Sequence, residues 1–450
     1  MTYTDALNYI HSMPAFTGTI DFEKTKVLME YLGQPQDRLK VIHIAGTNGK
    51  GSTAAFINSI LIKAGYRVGL YTSPYIERFT ERIKTVNCEI SQNELADITA
   101  TVRAAVEKIK ADGRPVPTEF DVITAIAFIW FDKKKTDIVV LETGMGGRLD
   151  STNVVASPEL EIITSISYDH MAVLGNTLPE IAYEKAGIIK PGTDVLLYPQ
   201  NKDVYSVFEE KCASENARLH DCIIGRPGAQ GASPDGQFMD IDLSDAEDSA
   251  LKTNFKQSAL QIPLLGTHQL KNASMAINAA AILRNKGWSI SNEAIVEGVR
   301  QTRWNGRFEI LRREPFFLID GGHNTEGIES LVTSIRTIFP GKKIIFIFGV
   351  LADKAYQKMI EIILPLSQRI FTITVPNPRA LPAAELAEAI RSAPDYSGQP
   401  VIPCSDISAA VNASLDLASS EDVICAFGSL YYIGIVRGLL VSKSHEKLEL

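Results

Sequence analysis

Cysteine is scarce in this chain: five in 450 residues, Cys88, Cys212, Cys222, Cys404 and Cys425, an odd number with no C-x-x-C pair. That argues against a disulfide framework and a zinc knuckle and fits a reducing cytoplasm. Positive charge is not in excess either, because 45 Lys and Arg face 53 Asp and Glu for a formal net charge of -8. General affinity for nucleic acid is therefore not expected, although local basic pockets for anionic ligands are permitted. No apolar run approaches the length of a membrane span. The start, Met1-Thr2-Tyr3-Thr4-Asp5, lacks the basic and then apolar pattern of a secretory leader. The expectation is a cytosolic protein with neither nucleic acid nor membrane as partner. The final Lys447-Leu448-Glu449-Leu450 has the look of a retention tail, but without a leader it has no role.

Hydrophobic content of 45% and charged content of 22% are ordinary for a globular protein, and 450 residues favour two domains over one. The most telling stretch is Gly46-Thr47-Asn48-Gly49-Lys50-Gly51-Ser52. It follows an apolar, β-rich run, Leu39 to Ile44, and precedes apolar residues at helical spacing from Ala54 to Leu61. Strand, glycine loop and helix together present backbone N–H groups and a helix dipole to phosphate, and Lys50 adds a point charge. The spacing departs from G-x-x-x-x-G-K-[ST]: two residues separate Gly46 from Gly49, and Gly51 stands between Lys50 and Ser52.

Helical patterning covers Tyr3 to Met13 and Phe22 to Leu32, separated by Pro14 and Gly18. Arg67 to Tyr71 reads as a second strand, after which Pro74 pushes Ser73 into an extended conformation. Ser73 thus sits at a strand's carboxyl end, where open α/β sheets place ligand groups. Ser91 and Glu94 form a capping box before an amphipathic helix to Ala111, and a mostly apolar helix follows Thr118-Glu119-Phe120-Asp121 through Phe131. Thr136 to Glu142 has the apolar character of a buried parallel strand and ends in a carboxylate that can hold Mg²⁺ while ATP phosphates supply further oxygens. Glu161 to Ser167 gives another strand, ending in Tyr168-Asp169-His170, and Pro179 to Ala186 a helix that includes Lys185. The acidic, glycine-rich stretch Gly225 to Ser249 reads as a surface loop or hairpin. On the residues alone, Ser73 also reads as a turn former, Phe120 as core, His170 as a hydrogen-bonded structural residue and Lys185 as solvated.

Near residue 300 the helical pattern stops. Phe316 to Asp320 is a strand ending in an acid, a helix starts at Thr325, and the strands Lys343 to Phe348, Ile370 to Val375 and Val423 to Phe427 alternate with helices. The fold class is α/β in two domains. Residues 1–299 are expected to form a doubly wound, mostly parallel sheet with a P-loop, and residues 300–450 a Rossmann-like α/β domain.

The loop Gly46 to Ser52, the run Leu141-Glu142-Thr143-Gly144-Met145-Gly146-Gly147-Arg148-Leu149-Asp150-Ser151-Thr152-Asn153 and the segment from Asp169-His170 to Glu184-Lys185-Ala186-Gly187-Ile188 resemble motifs of the folylpolyglutamate synthase and dihydrofolate synthase family, relatives of the Mur ligases. The resemblance extends from about residue 40 to residue 437. It implies ATP contacts at Gly46, Thr47, Asn48, Gly49, Lys50, Gly51 and Ser52, with Asn272 on the adenine side, and at Arg307 and Asp320 beyond residue 300. It implies two Mg²⁺ ions held by Ser73, Glu142, His170 and a carbamylated Lys185, with Lys50, Lys185 and His323 as catalytic residues. Arg82, Phe120, Asp121, Leu149, Asp150 and Ser151 are implied for the substrate. Two departures stand out: Asn305 replaces the usual proline before Gly306, which puts linker stiffness in doubt, and Gly322 replaces an alanine, which should loosen that turn.

The implied activity is an ATP-dependent amide ligase that adds L-glutamate to the γ-carboxyl of a reduced folate through an acyl phosphate, as a monomer with small-molecule substrates only. The rivals are a dihydrofolate synthase acting on dihydropteroate, alone or as a second activity, and a Mur-type peptide ligase. The folate-type serine loop and the absence of a further N-terminal nucleotide-sugar domain weigh against the Mur-type reading. A nucleotide-binding module without catalysis is disfavoured by Lys50, Glu142, His170 and Lys185 standing together.

Overall fold

The computed structural model describes residues 1–14, 22–86 and 88–446. Gly18 and Lys447 to Leu450 lie outside the described residues. The chain divides into two compact units: residues 1–225, 241–257 and 271–302 form the first, and residues 226–240, 258–270 and 303 onward the second. The second unit therefore takes two segments from within the stretch 1–299, which the composition of those segments does not announce.

The first unit is built on eight strands: β1 (Val41–Ala45), β2 (Val68–Tyr71), β3 (Ile83–Thr85), β4 (Cys88–Glu89), β5 (Ile138–Glu142), β6 (Leu160–Ile163), β7 (Asp194–Leu197) and β8 (Arg218–Asp221). Their order is β4-β3-β2-β5-β1-β6-β7-β8. From β2 to β8 the neighbours are parallel, and β3 and β4 add an antiparallel edge. Every residue of β1 and β5 is buried, as strands covered on both faces require. Helices Tyr3–Ser12, Phe22–Tyr31, Gln92–Ala111 and Glu119–Lys134 contribute to one core with Val41, Tyr71, Val139 and Leu141. Each fully buried Leu, Val or Phe there contributes about 1.5–3 kcal/mol. The chain passes from β5 across β1 to β6, so the carboxyl ends of β2, β5, β1 and β6 open at a topological switch point.

The second unit has a small sheet of β9 (Arg226–Ser233), β10 (Gly236–Asp242) and β11 (Lys256–Ile262), in which β9 and β10 form the hairpin expected from that stretch. Its main sheet contains β12 (Glu309–Arg313), β13 (Phe316–Asp320), β14 (Ile344–Phe348), β15 (Ser367–Thr372), β16 (Val401–Pro403) and β17 (Val423–Phe427), ordered β12-β13-β17-β14-β15-β16. All pairs are parallel except β12 with β13.

At the edge of the first unit, His220 on β8 places Nε2 2.9 Å from Asp194 Oδ1 and Nδ1 2.6 Å from Asp248 Oδ2. Two carboxylates on two ring nitrogens require both nitrogens to donate, which only the imidazolium does. These carboxylates raise the His220 pKa against the opposing effect of burial. Its stabilising contribution is therefore complete below its ordinary value of about 6.5 and is lost as pH rises through the raised folded value. Denaturant unfolding from about pH 5.5 to about pH 9 should show stability falling on the alkaline side, and His220→Gln should flatten that fall. An unchanged slope in the variant would assign the pH dependence elsewhere.

Candidate active site

The phosphate loop begins where β1 ends. Gly46 has φ +146°, and a Cβ there would meet Thr164 Oγ1 at 1.8 Å, so only glycine lets the loop turn against the end of β6. Thr47 N–H donates to Ser165 O at 2.7 Å, and Thr47 Oγ1 both donates to Ser167 O and accepts from Ser167 N–H, each at 3.1 Å. Asn48 bridges to Ser165. Gly49, at φ +86°, starts helix Lys50–Lys63 without a side-chain cap, which leaves first-turn N–H groups for an anion. Asn272 stands against this glycine, its Oδ1 2.6 Å from where a Cβ would be. Gly51 and Ser52 lie in that first turn, with Ser52 buried.

Two lysines meet at one carbonyl. Lys50 Nζ donates to Gly46 O at 3.0 Å and to Thr47 O at 3.1 Å, while Lys185 Nζ donates to Gly46 O at 2.8 Å. Lys185 comes from helix Leu178–Ala186, whose start is fixed by the Thr177 and Glu180 capping box. It is 4% exposed, which corrects the solvated reading of a lone helical lysine. Burial, and then the nearby Lys50 charge, lower its pKa to about 7, with Asp169 and Asp150 opposing. Lys185 is brought close because Gly147 has no Cβ, which would stand 2.8 Å from Lys185 O, and because Arg148 pairs with Glu184 at 2.8 Å.

Ser73 and Glu142, on the neighbouring ends of β2 and β5, are brought together, with Ser73 N–H donating to Glu142 Oε2 at 3.2 Å. Thr143 Oγ1, the next residue, is buried without a hydrogen-bond partner. Carboxylate and hydroxyl oxygens with an orphaned buried oxygen beside them fit a hard divalent cation such as Mg²⁺. His170 adopts φ +49° on the next loop, its side chain 45% exposed and its N–H held by Asp169 Oδ1 at 2.8 Å. Among the described residues no group of three or more His, Cys, Asp or Glu side chains is arranged to hold a metal. Glu142 and His170 are the two such residues in the expected set, so the set depends on Ser73 and Lys185 as well.

On the substrate side, the Arg82 guanidinium lies over the rings of Tyr75 and Phe79, 5.2 and 5.6 Å from their centroids, with Nε buried and unpartnered. Phe120 packs on Gly144, where a Cβ would meet its ring at 2.5 Å, and Leu149 is half-buried. Asp121 accepts from Thr25 Oγ1 and Ser151 Oγ, both at 2.5 Å, and from Thr118 N–H and Oγ1, both at 2.7 Å. Its carboxylate is thus taken up by the fold. What Asp121 offers is the placement of Phe120 and Ser151, not a free charge.

Asp150, buried, accepts Met145 N–H at 2.8 Å and the Thr152 hydroxyl at 2.6 Å, and burial raises its pKa. The single Thr152 proton goes to Asp150, so His43 Nε2, 2.8 Å from that oxygen, must donate. Burial in the central strand lowers the His43 pKa to about 3 and keeps the ring neutral. Sequence reasoning missed His43, on a strand, and Thr152 and Thr25, on helical turns, because each finds its partner about a hundred residues away, which local patterning does not reveal.

In the second unit, Asp320 at the end of β13 accepts Phe308 N–H at 2.8 Å through Oδ2 and Gly322 N–H at 2.7 Å through Oδ1. Gly322 O accepts Gly428 N–H at 3.0 Å, so this turn is held at both ends in spite of the glycine. The Arg307 guanidinium lies across Gly321, where a Cβ would be 1.9 Å from Nη1, and His323 Nδ1 is 2.9 Å from Gly321 O.

Comparison with known proteins identifies the family to which this fold belongs. Residues 44–280 match the Mur ligase middle domain and residues 306–430 the Mur ligase glutamate ligase domain. The chain is 37% identical over 443 residues to dihydrofolate synthase/folylpolyglutamate synthase of Bacillus subtilis (strain 168), covering 97% of this chain and 98% of the relative. It is 34% identical over 448 residues to folylpolyglutamate synthase of Lacticaseibacillus casei, covering 98% and 99%. A solved FPGS–AMPPCP–folate complex superposes with a TM-score of 0.82 at 31% identity, covering 98% of this chain and 100% of that chain. The sequence, carried on this fold, belongs to the folylpolyglutamate synthase and dihydrofolate synthase family of Mur ligases.

Proposed function

We propose that this chain is an ATP-dependent ligase that joins the amine of L-glutamate to the γ-carboxyl of a reduced folate. The observation that carries the reading is the meeting of Lys50 and Lys185 on Gly46 O, next to an uncapped helix start, in a chain whose relatives are named for this reaction. A carboxylate is a poor acyl donor because oxide is a poor leaving group. One of its oxygens therefore attacks the γ-phosphorus of ATP, ADP departs, and the acyl phosphate forms. The glutamate nitrogen then attacks the acyl carbon, the amide forms, and phosphate leaves.

The loop N–H groups and Lys50 hold the transferring phosphoryl group and offset its charge. Mg²⁺, when bound by Ser73, Glu142 and His170, supplies further charge neutralisation and orientation. Lys185, buried and with a lowered pKa, is suited to accept carbon dioxide as a neutral amine, giving an oxygen anion for a second cation. Arg82, Phe120, Leu149, Asp150 and Ser151 shape the folate side, with Asp121 holding Ser151. Asn272 is assigned to adenine, and Arg307, Asp320 and His323 are the second unit's residues for nucleotide and catalysis. In domain terms, 1–299, apart from the segments 226–240 and 258–270 that belong to the second unit, is proposed as the ATP- and folate-binding part and 300–450 as the ligase domain. A cytoplasmic monomer acting on small molecules is part of the proposal, and the five free cysteines fit a reducing compartment.

Purified protein is expected to release phosphate from ATP only when a reduced folate and L-glutamate are both present. No turnover with either a reduced folate or dihydropteroate would sink the reading, and comparable turnover on dihydropteroate would add the synthase activity that the Bacillus subtilis relative carries in its name. Lys185→Met, close in volume, should keep the fold while kcat falls by about 10²–10³-fold, the scale of one lost electrostatic group at a reacting centre. Depleting carbon dioxide should lower wild-type activity and bicarbonate should restore it. Full activity in depleted buffer, with an unmodified amine at Lys185, would remove the carbamate from the mechanism.

A further inference from the structure

Arg307 leaves the backbone between two left-handed residues, Gly306 at φ +72° and Phe308 at φ +42°. For a phenylalanine that conformation is strained and persists only where the surroundings impose it. Three hydrogen bonds do so here. Asp320 Oδ2 takes the Phe308 N–H at 2.8 Å, Gly306 O takes the Gly321 N–H at 2.9 Å, and Glu309 Oε2 takes the Gly306 N–H at 2.7 Å. The other Glu309 oxygen accepts from Arg437 Nε at 2.9 Å, reached from helix Leu430–Glu446. Both side chains of this pair are about one-fifth exposed, at 20% and 19%, so it is shielded more than a surface ion pair.

The structure assigns Glu309 and Arg437 as a positioning pair for Arg307. Arg437 orients and neutralises the Glu309 carboxylate, the carboxylate fixes the Gly306 peptide plane, and that plane aims the arginine across Gly321. The inference rests on the proposed contact of Arg307 with ATP. It also accounts for a turn that lacks proline. Gly306 has positive φ and Asn305 does not, the pattern of a type II turn with Asn305 at its second position. Proline suits that position and would fix its φ near −65°. The pair supplies by side-chain bonds the rigidity that a proline supplies covalently, so the two devices should substitute for each other.

Steady-state kinetics on the full chain test this. Glu309→Ala should raise KM for ATP about five- to tenfold, the scale of one net hydrogen bond lost at a positioning residue. KM for folate and glutamate should stay within about twofold. Asn305→Pro alone should match the wild type, and Asn305→Pro with Glu309→Ala should return KM for ATP to within about twofold of it. A merely destabilising substitution would not be repaired selectively for one substrate. If Glu309→Ala fails to fold, Glu309→Gln keeps an acceptor for Gly306 N–H but loses the charge facing Arg437, and a smaller rise, again repaired by Asn305→Pro, is expected. Arg307→Ala separates the two levels. If it raises KM for ATP while Glu309→Ala does not, or if the proline fails to repair, the pair is overturned alone. If Arg307→Ala leaves KM for ATP unchanged, the assignment of Arg307 falls and the pair with it.

Discussion

One carbonyl oxygen, that of Gly46, receives two ammonium groups, and the first unit's chemistry follows from that crowding. Burial disfavours an ammonium first, a like charge a few ångström away adds to it, and the more buried of the two lysines yields. Lys185 is the more buried, so its pKa falls to about 7 while Lys50 stays on the open side of the loop. The arrangement needs a backbone that passes close to Thr164, which is why Gly46 has no side chain. It also needs the Lys185 helix drawn in, which the missing Cβ of Gly147 and the Arg148–Glu184 pair accomplish.

Around this centre the polar groups are arranged so that few are left to choose their partners. Asp121 is saturated by Thr25, Thr118 and Ser151, and Asp150 is saturated by Met145 and Thr152, with neutral His43 behind. Such networks are costly if half-made and rigid when complete. They hold Phe120, Leu149 and Ser151 in place with no free carboxylate in reserve. The second unit follows the same logic at its own site: Asp320 uses both oxygens on backbone N–H groups, and the left-handed turn at Arg307 is set by bonds from side chains.

Much of this was legible in the sequence where a single local motif determines it. Gly46 to Ser52, Glu142 at a strand end and the Ser91–Glu94 capping box each need only neighbours in the chain, and each took the expected form. What was not legible depends on distant residues. His43 meets Thr152 across 109 residues, and Asp121 meets Thr25 across 96, so neither partner is implied by spacing. Lys185 read as solvated for the same reason, because its burial is decided by a glycine loop 38 positions earlier in the chain, at Gly147. The resemblance to a ligase family supplied roles for Asp121, Asp150 and Lys185, but not the hydrogen bonds by which Asp121 and Asp150 act.

The interleaving of segments in the second unit bears on how the chain is made. Residues 226–240 and 258–270 emerge from the ribosome well before residue 303, yet their partners lie beyond it, as in the 2.7 Å pairing of Asp235 with Arg313 across 78 residues. The early hairpin β9–β10 is completed by β11 before residue 303, but the rest of the unit it belongs to is made only afterwards. A gene fragment starting at residue 300 would lack pieces that its own unit uses, and the natural cut for an independent second half is therefore not where the helical pattern breaks.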